Sequence, residues 1–369
     1  MRTFDAVIVG AGPAGSTVSY RLAAAGASVL LLDKARFPRD KPCGGGLTLR
    51  AVRQLPFSVE PVVEDIVHRF ELRLNYRRSF ERESSKPLCM MTQRSRLDEF
   101  LARKATEVGA EFCDGVKVAF DNGDVLVDGE RIVARVLVGA DGANGATARA
   151  FGLAVGHGYG VALEGNAAYA SRYRGKLVLE LGVVPGGYGW VFPKGDHVNV
   201  GVGGWESEGP RLRSHLRRLC DAHCVDAGKL TALRGYRLPY RRGESTLTRD
   251  NVVLVGDAAG LIDPLSGDGM YEAFVSARLA ADAILSGDLA SYERRVQAEL
   301  GGLHASSWTA KYALDRFPHL TFAIARAPFA WSVIARIVRG ELQDPTRARG
   351  VGRAPLKVLD RLGRFAQPA

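Results

Sequence analysis

Phe4-Asp5-Ala6-Val7-Ile8-Val9 runs straight into Gly10-Ala11-Gly12-Pro13-Ala14-Gly15, and Ser16 to Ala25 follows without a break. The opening residues read as a short apolar strand, and the closing ones as a small-residue helix that Gly26 ends. Ser28 to Leu32 is a second apolar strand, closed by Asp33. Each residue type has a mechanical reason here. Gly10 permits the tight turn off the strand, Gly12 leaves room for a pyrophosphate, and Gly15 lets the helix lie close to the sheet. The helix start offers free N–H groups and partial positive charge to phosphates. Asp33 stands where a carboxylate accepts hydrogen bonds from a ribose. Strand, glycine loop, helix, second strand and terminal acid together predict a dinucleotide-binding βαβ unit.

A chain of 369 residues, 46% of them apolar, is long enough for two joined domains with a substantial core. The five cysteines (43, 89, 113, 220 and 224) are scattered, which argues against a disulfide framework and for a reducing compartment. Cys220 and Cys224 flank His223 but lack a second ligand pair, so they read as ordinary thiols and no metal site is expected. The immediate entry into a strand leaves no room for a signal peptide, and no apolar run reaches the length of a membrane span. Net charge is +10, and from Ser291 onward 13 Lys/Arg stand against 6 Asp/Glu. Such a tail faces anionic lipid or nucleic acid, or is simply a solvated surface.

Lys41-Pro42-Cys43-Gly44-Gly45-Gly46-Leu47 is a loop in which backbone passes close to something, and Leu49 to Leu55 resumes as helix. Ile66 to Phe80 reads as a strand pair, and Arg94 to Val108 as an amphipathic helix with Leu97, Phe100, Leu101, Ala105 and Val108 at helical spacing. Glu111 to Val127 gives short strands around Asp121-Asn122-Gly123. Val133 to Val138 is a buried strand running into Gly139-Ala140-Asp141-Gly142-Ala143-Asn144-Gly145. Antiparallel strands are expected over Tyr159 to Val202, a helix over Pro210 to Ala227, a strand over Asn251 to Val255 before Gly256-Asp257-Ala258-Ala259-Gly260, and a long helix over Gly269 to Leu285. The reading is α/β. A Rossmann-type nucleotide-binding domain occupies 1–60, 91–157 and 246–290. An inserted antiparallel β substrate domain occupies 61–90 and 158–245, and a helical, basic C-terminal region fills 291–369.

Loops after three apolar strands describe one extended site, because ligands of open α/β sheets bind at the carboxyl ends of strands. Asp257 reads as an acceptor for a sugar-like chain. Asp141 does the same or caps its own loop, since Asp-Gly is a common turn pair. Tyr188, Trp190 and Phe192 alternate on one strand and so share one face, which is either a tunnel wall or core.

Several stretches together resemble the flavoprotein hydroxylase superfamily and, within it, the geranylgeranyl reductase family. They are Gly10 to Gly15, Phe37-Pro-Arg-Asp-Lys-Pro-Cys-Gly-Gly-Gly-Leu47, Arg94-Ser-Arg-Leu-Asp98, Gly139-Ala-Asp-Gly142, Tyr188-Gly-Trp-Val-Phe-Pro193 and Gly256 to Met270. The Pro-Cys-Gly-Gly-Gly and Tyr-x-Trp-x-Phe-Pro stretches are the family-specific ones. The resemblance covers residues 1 to about 285 and implies FAD. Gly10, Gly12, Ala14 and Gly15 would hold its adenine end, with Asp33, shorter than the usual Glu, on the ribose. Arg96 and Asp257 would follow the pyrophosphate and ribityl chain, the backbone of Cys43, Gly44, Gly269 and Met270 would lie near the ring, and Asp141 and Val118 are counted with the cofactor-binding residues. Tyr188, Trp190 and Phe192 would line a substrate cavity.

The same resemblance implies reduction of isolated double bonds in a polyprenyl chain of a lipid or quinone. The electrons would come from NAD(P)H or a ferredoxin-like donor. Cys43 would donate a proton or shape the surroundings of the flavin ring; its alternative is a small buried hydrophobe. A flavin monooxygenase or halogenase acting on an aromatic substrate, and a non-catalytic electron carrier, are the competing functions. A halogenase would carry Trp-x-Trp where position 188 is Tyr. A cytoplasmic enzyme touching the inner face of the membrane is expected, with no nucleic-acid partner. Phe317 to Val338 supplies Phe317, Leu320, Phe322, Ile324, Phe329, Trp331, Val333, Ile334, Ile337 and Val338, with Arg326, Arg336 and Arg339 among them. Arg347, Arg349, Arg353, Lys357, Arg361 and Arg364 follow. This mixture reads either as an interfacial helix or as a cap packed over the apolar end of the tunnel.

Overall fold

The computed structural model describes residues 2–121, 124–153, 157–241, 245–342 and 353–367. Its centre is a parallel sheet in the order Val252–Leu254, Glu130–Gly139, Arg2–Val9, Val29–Asp33, Glu111–Asp114. These strands are covered on both faces, which is why they read as unbroken apolar runs rather than alternating ones. All five residues of Val29–Asp33 are buried. Helices Pro13–Ala24, Arg94–Glu107 and Met270–Leu285 pack together over this core. A hairpin of Val118–Asp121 and Asp124–Val127 runs antiparallel off the Glu130–Gly139 strand; its turn residues Asn122 and Gly123 lie outside the described residues.

The second layer is a seven-stranded sheet. Its order is Thr231–Arg241, His157–Ala168, His197–Trp205, Tyr188–Pro193, Lys176–Leu181, Arg69–Leu74, Arg78–Glu83. Every pairing is antiparallel except Lys176–Leu181 with Arg69–Leu74. Helix Leu212–Ala222 covers one face, with Leu216, Leu219 and Cys220 packed on Val178, Val191 and Val200. The other face looks toward the parallel sheet. A small third sheet joins Gly46–Thr48 to Cys89–Met91 and Asp65–Val67. Among the described residues, Rossmann-type FAD-binding architecture, an inserted antiparallel sheet and a helical C-terminal region are all present.

Several boundaries move. The helix after the glycine loop spans only Leu49–Val52. The expected strand pair over 66–80 turns at Asn75 and Tyr76, both of positive φ, between Arg69–Leu74 and Arg78–Glu83, while its first residues, Ile66 and Val67, belong to Asp65–Val67 in the small sheet. The helix expected over 210–227 runs only Leu212–Ala222, after a short 3-10 turn. Thr231–Arg241 has no counterpart in the sequence reading. It is an edge strand with mostly exposed residues and an internal Pro239, so it carries neither alternation nor an apolar run.

The C-terminal region also departs from expectation. Phe317 to Val338 is not one helix. Pro328 starts a new one, and the helices Pro318–Arg326 and Pro328–Val338 meet at 87°. No single helix among the described residues is long and apolar enough to cross a membrane. Phe322, Ala330, Val333 and Ala335 are buried, so this pair packs against the protein as a cap. Arg347 and Arg349 lie outside the described residues.

The first helix reaches the sheet only because Gly15 is bare: a Cβ there would sit 1.9 Å from the Gly10 carbonyl oxygen. Gly15→Ala is expected to cost about 1–3 kcal/mol of stability. Gly209→Ala, where a Cβ meets nothing within 4 Å, should be neutral. Equal melting temperatures for the two variants would remove the close-packing argument.

Candidate active site

The register of the parallel sheet builds the site. Val9 pairs with Gly139, and Gly139 with Leu254, so the loops that follow all leave the sheet at one level. Gly10 has φ +106, and a Cβ on it would lie 2.3 Å from the Ala140 oxygen, so the first two loops touch through bare backbone. Helix Pro13–Ala24 begins just beyond, with no side chain capping its free N–H groups. A Cβ on Gly12 would face only two guanidinium nitrogens, Arg39 Nη2 at 3.5 Å and Arg94 Nη2 at 3.9 Å. A helix N-terminus, a bare glycine and two guanidinium groups converging on one point fit a pyrophosphate.

Arg94 and Arg39 are held by one buried carboxylate. Asp98 accepts from Arg94 Nε and Nη2, both at 2.7 Å, and pairs with Arg39 Nη1 at 2.7 Å. Burial lowers the proton affinity of Arg94, but Asp98 outweighs it and the net shift is upward, so the charge is secure. Arg96, expected along the pyrophosphate, lies elsewhere. It is half-exposed and donates to Glu64 and the Pro61 carbonyl, away from the cavity. Arg94 is the first residue of its helix, and two positions on, a side chain points to the far side, so only one of these arginines faces the loops.

Asp33 lines the cavity and also organises the first loop, accepting from the N–H groups of Ala11 and Ala35 at 2.9 Å each. Asp141 lines the cavity too, but one of its oxygens accepts from both the N–H and the hydroxyl of Thr147; it caps its own loop. Asp257 accepts from Lys41 Nζ at 2.9 Å and from the Tyr236 hydroxyl at 3.0 Å. Burial would raise its pKa, but Lys41 and Tyr236 bring it below the ordinary value, so it is an ionised acceptor. Gly10, Gly12, Ala14, Val118, Gly269 and Met270 also line the cavity. Gly15 lies behind it, in the packing role described above.

Cys43 sits in a clamp. Its N–H donates to the buried Glu164 carboxylate at 2.8 Å, and its carbonyl accepts from the buried Lys194 at 2.9 Å. Burial pushes the Glu164 carboxyl up, opposed by Lys194 and the Cys43 N–H. Gly45, at φ +83, is pressed so near the Thr92 carbonyl that a Cβ would lie 2.2 Å from it. Gly44 lies on the Phe192 ring, where a Cβ would approach to 2.8 Å. Gly44 therefore faces the aromatic wall, and Cys43 lines the same cavity. Tyr188, Trp190 and Phe192 all line the cavity, while Gly189 and Val191 between them turn to Leu219 behind the sheet. Trp190 is anchored by its indole N–H to Asn199 at 2.7 Å, and Tyr188 by its hydroxyl to the Ser266 carbonyl.

All of this opens into one cavity of about 1250 Å³. Its polar end holds the three loops with Arg39, Lys41 and Arg94. Its other arm is walled by Phe70, Leu177, Leu179, Leu181, Leu265 and, from the C-terminal cap, Ile324, Trp331, Ile334 and Ile337. Arg39, Lys41, Arg94, Glu164, Lys194 and Tyr236 carry much of the polar chemistry, and sequence reasoning did not single them out as site residues. The first three lay inside stretches already quoted, and Lys194 directly follows the Tyr-x-Trp-x-Phe-Pro run. Glu164 and Tyr236 gave no local signal.

Fold and site define an FAD-dependent oxidoreductase of the flavoprotein hydroxylase superfamily. A family model described as an FAD binding domain matches residues 3–167. The menaquinone reductase of Mycobacterium tuberculosis is 34% identical over 317 residues, covering 78% of each chain. The geranylgeranyl diphosphate reductase of Rhodobacter capsulatus is 30% identical, over 77% of this chain and 75% of its own. A geranylgeranyl bacteriochlorophyll reductase-like protein from Thermoplasma acidophilum superposes with a TM-score of 0.79 at 25% identity, over 98% of this chain and all of its own. A flavin-dependent brominase shares the fold, with a TM-score of 0.76 at 19% identity over 99% of this chain and 100% of its own. The chain belongs to the geranylgeranyl reductase family.

Two arginines two residues apart separate the site geometry from a motif match. Arg94→Lys keeps a cation on Asp98 but loses the two-pronged fork, and is expected to weaken FAD binding about tenfold to a hundredfold. Arg96→Gln should leave binding unchanged. Flavin titration by fluorescence quenching reads both, and the reverse order would displace Arg94 from the pyrophosphate.

Proposed function

We propose that the protein hydrogenates isolated C=C bonds of a polyprenyl chain carried by a lipid or quinone, using reduced FAD. The observation that carries this reading is the continuity of a loop-lined cradle bearing Arg39 and Arg94 with an apolar arm in a single cavity of about 1250 Å³. Sites for one small molecule occupy roughly 300–1,000 Å³, so there is room for a flavin dinucleotide and a second, elongated apolar molecule. FAD supplies hydride chemistry; the chain supplies orientation and exclusion of water. Arg39, Arg94 and the first helix hold the phosphates, and Asp257 with Lys41 receives the sugar-like chain. The Glu164–Lys194 clamp fixes the Cys43–Gly44 backbone at the reacting end. Tyr188, Trp190 and Phe192 bring the alkene against that end. The proton for the second carbon comes from the Cys43 thiol.

The electron donor is a nicotinamide nucleotide or a ferredoxin-like protein. We place the enzyme in the cytoplasm at the inner membrane face. Supporting this, the C-terminal helix Arg353–Ala366 contributes Lys357, Leu359, Asp360 and Arg364 to the cavity lining, while Phe365 is 81% exposed beside exposed Arg361 and Arg364. An exposed aromatic among cations suits an anionic lipid surface from which a prenyl chain could enter.

Holoprotein reduced by dithionite without oxygen should convert a prenyl quinone or geranylgeranyl lipid to products heavier by one hydrogen pair per bond, with flavin returning to its oxidised spectrum. Cys43→Ala should keep FAD and lose most of this turnover, while Cys224→Ser, an exposed thiol, serves as control. Flavin reoxidation only by oxygen, with hydroxylated or halogenated aromatic product, would replace this reading with the monooxygenase one. Phe365→Ser with Arg361→Gln should reduce co-sedimentation with anionic vesicles at low salt; unchanged pelleting would remove the membrane-facing role of this helix.

A further inference from the structure

Six of the twelve buried polar side-chain atoms without a hydrogen-bond partner among the described residues belong to five residues beside the cavity. They are Thr48 Oγ1, Arg50 Nε, Asp268 Oδ2, both carboxylate oxygens of Glu272, and His304 Nε2. Such groups are individually costly, and a cluster of them in a folded protein calls for an explanation beyond packing. Glu272 is wholly buried in the first turn of helix Met270–Leu285. His304 Nε2, from helix Tyr292–Arg316, stands 3.8 Å from it, and the His304 side chain retains 15% exposure. Asp268, two residues before that helix starts, lines the cavity; its second oxygen lies 3.9 Å from Arg50 Nη2. The series runs from the protein surface at His304, through Glu272, to Asp268 at the cavity. Asp268 and Cys43 both line the cavity, and both add to the upward push of burial on the Cys89 thiol.

The groups facing Glu272 are His304, Arg50 and, from the preceding loop, Asp268 and Asp263, with Tyr271 on its own helix. Burial raises its carboxyl most, Asp268 and Asp263 push the same way, and His304 and Arg50 oppose; the result is a pKa of about 7. Burial likewise raises Asp268. A carboxyl with a pKa near 7, as at Glu272, exchanges a proton at neutral pH. His304 Nε2, at 3.8 Å, stands just beyond hydrogen-bond distance of Glu272, and a carboxyl poised between two protonation states suits proton transfer.

We propose that His304, Glu272 and Asp268 form the route by which protons reach the reaction cavity and reload Cys43, with Arg50 steadying the charge as it passes. This rests on the reductase reading above. Reduction of one alkene adds a hydride from reduced flavin to one carbon and a proton from the Cys43 thiol to the other. The thiolate then takes a proton from Asp268, Asp268 from Glu272, and Glu272 from His304 and solvent. Each bond thus consumes two electrons from the flavin and one proton beyond the hydride. Glu272 touches neither flavin nor substrate in this scheme and is a positioning and relay residue.

The test uses FAD-loaded full-length protein. In wild type, the kcat for alkene reduction should fall as pH rises through about 7, because the relay loses its stored proton. Glu272→Gln should lower kcat at least tenfold with KM and FAD content unchanged and abolish that alkaline limb, while Glu272→Asp restores part of both. A readout independent of turnover is infrared titration of the oxidised holoprotein. One buried carboxyl should titrate near neutrality in wild type and be missing from Glu272→Gln, and it should move upward in His304→Leu, where an opposing group is gone. Thermal unfolding gives the same information: wild type loses stability as pH rises from the unfolded carboxyl value through about 7, and Glu272→Gln lacks that loss. An unchanged kcat and pH profile in Glu272→Gln, or no carboxyl titrating near neutrality, overturns the relay. Failure of wild type to reduce any prenyl substrate, with the carboxyl titration present, overturns the reductase reading instead.

Discussion

The site depends on one register. Because Val9, Gly139 and Leu254 stand side by side in the parallel sheet, three loops distant in sequence emerge at a common edge. That edge can be shared only if the backbones there come closer than side chains allow, and Gly10 and Gly15 meet that demand. A shift of a single residue between the first strand and its neighbours would move Gly10 off Ala140 and turn the strand's buried residues over. The apolar runs that fix the register are therefore as much a part of the cofactor site as the residues lining it.

Buried charge is managed locally and in opposite pairs. Asp98 sits between Arg39 and Arg94, Asp257 against Lys41, and Glu164 and Lys194 at the two ends of the Cys43 peptide. Removing one partner of a buried pair typically costs about 3–5 kcal/mol, so these positions are constrained together even where only one member would meet a ligand. Two guanidinium groups share Asp98, and Arg39 also reaches Asp33 at 3.6 Å, so both forks stay aimed at the loops. Around Glu272 the pattern breaks: Glu272, Asp268 and Asp263 stand near the single guanidinium of Arg50, and neither Glu272 oxygen has a hydrogen bond among the described residues. The contrast with the neighbouring pairs is what makes that cluster stand out.

The sequence was most legible where one residue type answers one geometric need. The first βαβ unit, the Asp257 loop, the Cys43 glycine loop and the Tyr188–Phe192 alternation could all be read because glycine, acid and aromatic positions are locally spaced. Arg96 shows the limit of such reading: motif membership named the stretch, but helix phase decided that Arg94 faces in. Thr231–Arg241 was invisible because an exposed edge strand needs no apolar pattern, and it nevertheless delivers Tyr236 to Asp257. Glu164 and Lys194 were invisible for another reason. Their significance is a contact across 121 and 151 residues of chain, respectively, which no local window contains.

The same distinction explains why the C-terminal region carried no motif. A cofactor with fixed phosphates and sugars demands particular donors and acceptors at particular points, and these leave short signatures. An apolar arm demands only volume, shape and dryness, which many combinations of Leu, Ile, Phe and Trp satisfy. The wall formed by Leu177, Leu179 and Leu181 with Ile324, Trp331, Ile334 and Ile337 is of this second kind. Its geometry is set by the 87° break at Pro328, which folds two short apolar helices over the sheet instead of extending one away from it. The extent of the arm follows from where that bend falls. On the proposed reading, choice of substrate would be encoded in packing at the C-terminal cap, apart from the glycine loops of the nucleotide end.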